Sequence, residues 1–254
     1  MSLRVFWDFD GTLAFREGLW GGCLLELLDE ELADHGLVRG QIDLSSGFPW
    51  HTYDVAHPEL ADPERWWEMM TSLLSTAMVR AGVDAAPARR VAGSFRDAFL
   101  EPGAWHTFGD TTAALQEAKG RGWVNVILSN HVPELDRIVY GLGLSDLVEG
   151  VVTSAATGFE KPHPDAYRAA FEIAGSVSTG WMVGDNPLAD VAGAERAGLS
   201  AILVRYEDVR EAVTLVEDAR RVLTLGRREQ RELGAPLVAA GLMDAVQVIA
   251  RGNP

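Results

Sequence analysis

Two aspartates stand two positions apart, directly after the first apolar run of the chain. Asp8 and Asp10 are followed by Gly11 and Thr12. Carboxylates at this spacing on an extended chain point to the same side, and their repulsion is unfavourable unless a cation or a proton stabilises them. Gly11 lets the backbone turn sharply and approach a ligand closely. The pattern indicates a site that binds a cation or handles a proton, and an Asx-rich turn leaving a strand is the alternative.

A hydroxyl and an amide follow a second apolar run, at Ser129 and Asn130. A helix is predicted to begin shortly afterwards, so exposed backbone N–H groups and the Ser129 hydroxyl would make a phosphate seat. A helix N-cap uses the same residue types. Taken alone, this motif favours the cap.

Lysine is rare in this chain, which uses it at Lys119 and Lys161 among 22 basic residues. Pro162 disfavours helix for the residue before it, which places Lys161 in a loop. Lysine carries a compact point charge that arginine does not replace at every site. Lys161 is therefore a candidate for binding an anion, although Lys119 shows that lysine also occurs without an evident role.

A further acidic group follows another apolar run, at Asp185, Asn186 and Asp190. Carboxylate oxygens suit a hard cation such as Mg²⁺, which makes Asp185 a candidate metal ligand. Asp190, with Asn186 beside it, would hold the loop or a metal-bound water from behind. The alternative for Asp190 is an acidic residue at the start of a helix.

The elements that must position these motifs alternate between strand and helix. Five apolar runs are typical of buried parallel strands: Leu3–Phe9, Trp123–Leu128, Gly150–Ser154, Gly180–Val183 and Ser200–Arg205. Helical patterns separate most of them: Thr111–Lys119, Pro133–Leu142, Pro164–Ala174 and Ala189–Ala197. This alternation predicts an α/β fold with a parallel sheet and right-handed crossovers. Ligands of such sheets bind beyond the carboxyl ends of the strands, close to where the motifs fall.

The gap between the first two predicted strands is too long for a simple crossover. It carries helical patterns at Leu19–Leu32, Pro63–Arg80 and Ala88–Leu100, with an irregular stretch at Gly40–Asp62. We interpret this segment as a helical lobe inserted after the first strand. The part after residue 206 is predicted to be mostly helical. We interpret its charged run at 227–232 as a solvated helix face.

Composition argues against several classes of protein. The chain has 254 residues and a formal net charge of −15, which argues against a nucleic-acid binder or an anionic-membrane binder, since either needs a basic face. The single cysteine, Cys23, permits neither an intramolecular disulfide nor a cysteine-built zinc site. Neither a signal peptide nor a long apolar span is evident, so we expect a cytoplasmic protein.

Together, the four groups resemble the motifs of the haloacid dehalogenase (HAD) superfamily, in order and in spacing. The matching residues are Asp8-x-Asp10-Gly11-Thr12, Ser129, Lys161-Pro162, and Gly184-Asp185 with Asp190. The resemblance covers roughly residues 1–13 and 107–206. It implies a Rossmann-like doubly wound parallel sheet as the core, 1–13 and 107–254, with an inserted α-helical cap domain, 14–106.

The resemblance also implies roles for these residues. Asp8 would attack a phosphoryl group and form an aspartyl-phosphate, while Asp10 would act as general acid and then general base. Lys161 would neutralise charge on Asp8 and on the phosphoryl oxygens. The groups expected around the phosphate are Gly11, Thr12, Ser129, Asn130 and Lys161. Mg²⁺ would be bound by Asp8, the Asp10 carbonyl and Asp185, with Asn186 and Asp190 supporting that site.

The implied function is Mg²⁺-dependent hydrolysis of a small phosphorylated metabolite by a monomer or homodimer. Dehalogenases of the family usually lack an acid at the position of Asp10. Phosphonate-cleaving relatives use a cap lysine, and residues 14–106 contain none. A sugar phosphomutase with the same core residues and a catalytically silent binding or regulatory protein stay open.

The cap is expected to supply substrate specificity. Candidates for facing the cleft are Arg16, Glu17, Trp20, Trp50, His51, Arg96, Trp105 and His106. Arg16 and Arg96 would bind an anionic substrate end, but each is more often a surface residue. Trp66 and Trp67 favour core packing, and His51 and His57 favour loop positions over metal binding.

Overall fold

The computed structural model describes residues 2–32, 34–44, 55–175, 180–223 and 234–252. In chain order, its strands are β1 (Arg4–Trp7), β2 (Ala14–Arg16), β3 (Trp105–Thr107), β4 (Val124–Ser129), β5 (Gly150–Thr153), β6 (Trp181–Gly184), β7 (Ser200–Val204) and β8 (Leu237–Ala239). Its α-helices are α1 (Leu19–Glu31), α2 (Pro63–Arg80), α3 (Ala85–Phe99), α4 (Thr111–Gly120), α5 (Leu135–Gly141), α6 (Ser154–Thr157), α7 (Pro164–Ile173), α8 (Gly193–Arg196), α9 (Val209–Val222) and α10 (Leu242–Gly252). Short 3₁₀ turns occur at Pro58–Leu60, Pro102–Ala104 and Ser145–Leu147.

Within the described residues, six strands form one parallel sheet in the order β5-β4-β1-β6-β7-β8. Phe6 of the central strand β1 lies opposite Val126 of β4 and Met182 of β6. The chain runs outward from β1 on one side and then on the other, which is the doubly wound arrangement. The predicted α/β fold is confirmed.

Alternation along β1 shows that helices cover both faces of the sheet. Val5 and Trp7 belong to a buried apolar cluster that includes residues of α4, α5 and α10. Phe6 belongs to a second cluster with residues of α7, α8 and α9. Because both faces are buried, the strands read as nearly continuous apolar runs, which is why the sequence locates them well.

The segment after the first strand folds as three helices, α1, α2 and α3, and α3 contacts both of the others. The chain leaves and rejoins the sheet through the antiparallel pair β2–β3, with Ala14 opposite Thr107 and Arg16 opposite Trp105. This pair lies at the predicted boundaries of the inserted segment. Trp66 and Trp67 are buried and meet edge to face, as the core-packing interpretation predicts.

Two elements differ in detail from the sequence predictions. The segment after residue 206 contains β8, a sixth strand of the sheet, in addition to helices. The helix predicted at Ala189–Ala197 begins earlier, as a π-helix at Pro187–Ala192 that continues into α8. The charged run at 227–232 lies outside the described residues. Among the residues described, no helix is long and apolar enough to cross a membrane.

Candidate active site

The carboxyl ends of β1, β4 and β6 converge on a cavity of about 280 Å³. Of the ten predicted site residues, all but Thr12 line it: Asp8, Asp10, Gly11, Ser129, Asn130, Lys161, Asp185, Asn186 and Asp190. Leu19, the first residue of α1, contributes an apolar side chain from the inserted segment. The fold therefore brings four distant parts of the chain to one place.

Lys161 is the buried positive charge of this cavity. Its Nζ lies 2.7 Å from Asp8 Oδ1 and 2.5 Å from Asp190 Oδ1. Burial opposes the charged form, but the carboxylates of Asp190 and Asp8 outweigh it and raise the pKa of Lys161. The Ser129 hydroxyl donates to the same Asp8 oxygen at 2.9 Å. Two donors thus fix the rotation of the Asp8 carboxylate, and Ser129 is not a helix cap.

Asn130 positions Lys161 through a reciprocal pair of hydrogen bonds. Its Nδ2 donates to the Lys161 carbonyl at 2.9 Å, and its Oδ1 accepts from the Lys161 N–H at 2.8 Å. These bonds tie the loop after β4 to the loop that carries the lysine. Asn130 also lines the cavity, and its contact with a phosphate stays a prediction.

Asp190 supports the site from inside the π-helix. Its Oδ2 accepts from the Asn186 N–H at 2.9 Å, while Oδ1 contacts Lys161. Asn186 in turn caps the π-helix, because its Oδ1 accepts from the N–H groups of Leu188 and Ala189. Asp190 therefore holds both its own loop and the lysine, as the loop-holding interpretation predicts.

Thr12 and Gly11 both determine how the Asp185 side chain is placed. Thr12 is fully buried and its hydroxyl donates to Asp185 Oδ1 at 3.4 Å, and its contact with a phosphate stays a prediction. Gly11 has a φ of 74°, and a Cβ added there would lie 2.3 Å from Asp185 Oδ2. The turn after β1 needs glycine both for its backbone angle and for the approach of this carboxylate.

The donor set fits a hard divalent cation. Carboxylate oxygens of Asp8, Asp185 and Asp190 lie within 4.8 Å of one another. Burial and the charge of Asp8 raise the pKa of Asp185 to about 7. A carboxylate held so unfavourably is stabilised by a bound cation, and an all-oxygen site suits Mg²⁺. Since Lys161 and Asn186 already engage both oxygens of Asp190, Asp8 and Asp185 are the candidates for direct ligation.

Asp10 stands beside this cluster in a different environment. Its Oδ1 is buried and has no hydrogen-bond partner among the described residues, and Oδ2 lies 3.7 Å from Nε2 of His131. Burial, followed by the charges of Asp8 and Asp185, raises the pKa of Asp10 well above its ordinary value. Such a carboxyl holds a proton that it can give to a nearby oxygen.

Two cap residues expected near substrate have structural partners instead. Arg16 is buried, pairs with Glu26 at 2.5 Å and donates to the Ala98 carbonyl, so it is neither a surface residue nor a free anion binder. Arg96 pairs with Glu64 at 2.8 Å and with Glu134, and lies over the ring of Trp67.

The remaining cap candidates are spread over several environments, and none of those that the structure describes lines the cavity. Trp20 stacks on the rings of Phe95 and Phe99. Trp105 is buried, Glu17 pairs with Arg39 at the surface, and His106 is exposed. Trp50 and His51 lie outside the described residues, and His57 lies in a loop, where its Nδ1 contacts Glu59 at 3.1 Å.

Sequence reasoning missed His131 and Glu134, which follow the Ser129 motif closely. His131 is buried next to Asp10, and Glu134 joins the core to the inserted segment. Their position just beyond the carboxyl end of a strand was an available signal. Their partners Phe99 and Trp67 lie in the inserted segment, so the sequence does not show that these side chains meet.

The sequence of this chain matches a family model and several curated proteins. A model of the haloacid dehalogenase-like hydrolase family matches residues 4–198. "Haloacid dehalogenase-like hydrolase domain-containing protein 3" of Bos taurus is 29% identical over 161 residues, 63% of this chain and 62% of that protein. "Phosphoserine phosphatase" of Thermus thermophilus is 36% identical over 155 residues, 58% of this chain and 60% of that protein.

The alignments thus span about six tenths of these curated relatives' own length. Among solved structures, a 2-haloacid dehalogenase from Pseudomonas syringae superposes with a TM-score of 0.61 at 21% identity, covering 99% of each chain. At that identity the likeness shows the fold alone. It supports the doubly wound core.

Proposed function

The chain belongs to the haloacid dehalogenase-like hydrolase family, and from this premise we propose that it is a Mg²⁺-dependent phosphatase. The substrate is a small phosphomonoester, hydrolysed through an aspartyl-phosphate on Asp8. A relative named phosphoserine phosphatase supports the reaction class. The division into a catalytic core and a helical cap that covers the cavity is part of this proposal.

One observation carries the proposal: Lys161 and Ser129 both hydrogen-bond Asp8 Oδ1, with a protonatable carboxyl, Asp10, in the same cavity. A carboxylate held by two donors in a fixed orientation is suited to in-line attack on phosphorus. The Lys161 ammonium offsets the negative charge that collects when carboxylate and phosphate meet. The buried polar groups therefore fit a carboxylate nucleophile, Asp8, with a separate proton donor, Asp10.

In the first step, an Asp8 oxygen attacks phosphorus, the ester P–O bond breaks, and Asp10 gives its proton to the leaving oxygen. In the second step, water attacks the aspartyl-phosphate, Asp10 takes up the water's proton, and phosphate leaves as Asp8 is restored. The high pKa of Asp10, caused first by burial, favours the protonated form that the first step needs.

Asp8 and Asp185 would hold Mg²⁺, together with the Asp10 carbonyl that the family resemblance implies. When bound, the ion supplies positive charge that screens the carboxylates from the incoming phosphate. Asp190 holds Lys161 in the orientation that this arrangement requires. Thr12 does the same for Asp185.

The test is phosphate release from p-nitrophenyl phosphate and from a panel of metabolite phosphates, with Mg²⁺ present. We expect turnover by the wild type and its loss in Asp8→Asn, because the amide is a much weaker nucleophile. Asp136→Asn is the matched control, since Asp136 is an exposed carboxylate outside the cavity.

Other outcomes would redirect the assignment. Chloride release from a 2-haloacid, without phosphate release, would favour a dehalogenase. Interconversion of sugar phosphates without net phosphate release would favour a mutase. A folded wild-type protein that turns over no phosphate ester would contradict the proposal and favour a binding role.

A further inference from the structure

A buried imidazole lies beside Asp10. The side chain of His131 is almost completely buried, and the rings of Phe9, Phe99 and Trp105 surround it with centroids 5.4 to 5.9 Å away. We call these three rings the aromatic box. Phe9 follows β1, whereas Phe99 and Trp105 come from the far end of the inserted segment, so both parts of the chain fix the ring.

The polar atoms of this pair are unsatisfied among the described residues. Neither ring nitrogen of His131 has a hydrogen-bond partner, and Oδ1 of Asp10 has none either. The shortest approach is 3.7 Å, between His131 Nε2 and Asp10 Oδ2. Burying an unpaired imidazole is unfavourable, and phenylalanine would fill the same box without that cost. The nitrogen therefore points to a use, and the Asp10 carboxyl lies within its reach, 3.7 Å away.

We propose that His131 is the positioning residue of Asp10, a neutral imidazole whose Nε2–H donates to the carboxyl and fixes its rotation. The contact needs a movement of roughly 0.7 Å to come within normal hydrogen-bond distance. Fixed in this way, the carboxyl presents its proton to the leaving oxygen and later receives the proton of the attacking water. The inference rests on the proposed function, in which Asp10 is the general acid and base.

The surroundings of His131 keep it a donor. Apolar rings pack around the imidazole, an environment that disfavours a charged ring, and a neutral imidazole carries one N–H. Its main-chain carbonyl accepts from the Ala155 N–H at 3.3 Å, which anchors it to the core. A residue held by the core at its backbone and by the aromatic box at its ring has little freedom to turn away.

The activity test uses the acidity of the leaving group. The ratio kcat/KM reports the steps up to departure of that group, and an alkoxide needs a proton far more than p-nitrophenolate does. In His131→Phe, which keeps an aromatic ring and removes the donor, kcat/KM falls about tenfold for an alkyl phosphate and under about twofold for p-nitrophenyl phosphate. His131→Gln restores an N–H donor and recovers most of the loss.

Phe99→Leu is the matched control, because it alters the same aromatic box without removing a polar atom. It is expected to change kcat/KM by the same factor for both substrates. If His131→Phe likewise lowers both values equally, His131 only packs, and the inference is overturned.

A second readout needs no turnover. In the ¹⁵N spectrum of the histidine rings, the resonances lost in His131→Phe identify His131. We expect its Nε2–H tautomer and a change in Nε2 shift in Asp10→Ala. An Nδ1–H tautomer, or no response to Asp10→Ala, overturns the inference whatever the activity. If the wild type hydrolyses no phosphate ester, the proposed function and the catalytic use of His131 both fail, and the spectrum separately decides the contact.

Discussion

At the scale of single residues, one ammonium holds the site together. Lys161 contacts Asp8 and Asp190 directly, and Asp185 and Asp10 line the same cavity. Removing one partner of such a buried ion pair typically costs about 3–5 kcal/mol, because the other charge is left unpaired. Burial first, and then the neighbouring carboxylates, raise the pKa of Asp10 and of Asp185, which favours a proton on Asp10 and a cation at Asp185.

Gly11 offers a prediction at this scale. In Gly11→Ala the new Cβ would lie 2.3 Å from Asp185 Oδ2, so the Asp185 carboxylate must move from its present position. We expect the affinity for Mg²⁺ to fall by roughly tenfold or more. The measurement is a Mg²⁺ titration by calorimetry, supported by the dependence of phosphate release on Mg²⁺.

Gly36→Ala is the control for backbone strain. Gly36 has a comparable φ of 64°, but nothing lies within 4 Å of its added Cβ. Both substitutions carry a left-handed backbone cost of about 1–2 kcal/mol, whereas Gly11→Ala alone reaches a metal ligand. Equal Mg²⁺ affinity in the two variants would refute the role assigned to the Gly11 turn.

At the scale of elements, Glu134 joins the inserted helices to the core. It directly precedes α5, and it accepts from Trp67 Nε1 of α2 at 2.9 Å and from Arg96 of α3. Since it follows the Ser129 loop closely, this contact couples the position of the inserted helices to one wall of the cavity.

Glu134→Ala is expected to loosen that contact. The pair is partly exposed, so we expect a loss of about 1 kcal/mol in stability, with faster hydrogen exchange in α2 and α3. Glu64→Ala is the matched control, because Glu64 pairs with the same Arg96 but lies on α2, within the inserted segment. The proposed coupling is wrong if Glu64→Ala accelerates exchange in these helices as strongly as Glu134→Ala does.

Glu160 gives these elements a dependence on pH. It lines a small cavity with Val55, His57 and Leu60 of the inserted segment, next to Gly158, whose carbonyl accepts from the His57 N–H. Burial raises the pKa of Glu160 to about 9, although the charge of Lys161 opposes the shift. The folded state therefore binds this proton more tightly than the unfolded state, whose pKa is near 4.5.

Stability contributed by Glu160 is consequently present below about pH 4.5 and is lost as the pH rises towards 9. Glu160→Gln stays uncharged, so its stability relative to the wild type should increase between pH 5 and pH 8.5. Urea unfolding at both pH values measures the difference. Glu172→Gln, at an exposed position on α7, should show no such increase, and a pH-independent effect of Glu160→Gln would contradict the assignment.

Sequence predicts the elements whose signal is local. Buried parallel strands such as β4 are continuous apolar runs, and glycines end several helices, so the α/β alternation is visible. The strand β8 was missed because its three residues are too few to show a pattern. The π-helix at Pro187–Ala192 was missed because its wider turn depends on the Asn186 cap and on Asp190 rather than on apolar periodicity.

The same limit applies to the site. Spacing after each strand located Asp8, Ser129 and Asp185, because the topology brings all strand ends together. Pairings across the chain were not visible: Asn130 binds the backbone of Lys161, and Arg16 binds Glu26. Residue type shows what a side chain can bind, and only the fold shows which partner engages it first.

At the scale of the whole molecule, the net charge of −15 works against an anionic substrate. Long-range steering would repel a phosphate ester, so the attraction has to arise inside the cavity. Lys161 is already engaged by two carboxylates. A bound divalent cation would therefore change the stability of the folded protein as well as its chemistry.

Because Mg²⁺ binding is coupled to folding, Asp185→Asn should affect stability in opposite directions with and without the ion. Mg²⁺ at about 100 times its Kd should stabilise the wild type by roughly 2.7 kcal/mol, since it binds the folded state. In Asp185→Asn that gain is lost. Without Mg²⁺, however, Asp185→Asn should be the more stable protein above pH 7, because burial and Asp8 raise the pKa of Asp185 to about 7 and make its ionised form unfavourable. Thermal unfolding with and without Mg²⁺ measures both differences, with Asp136→Asn keeping the wild-type response. An equal Mg²⁺ gain in wild type and Asp185→Asn would place the ion elsewhere.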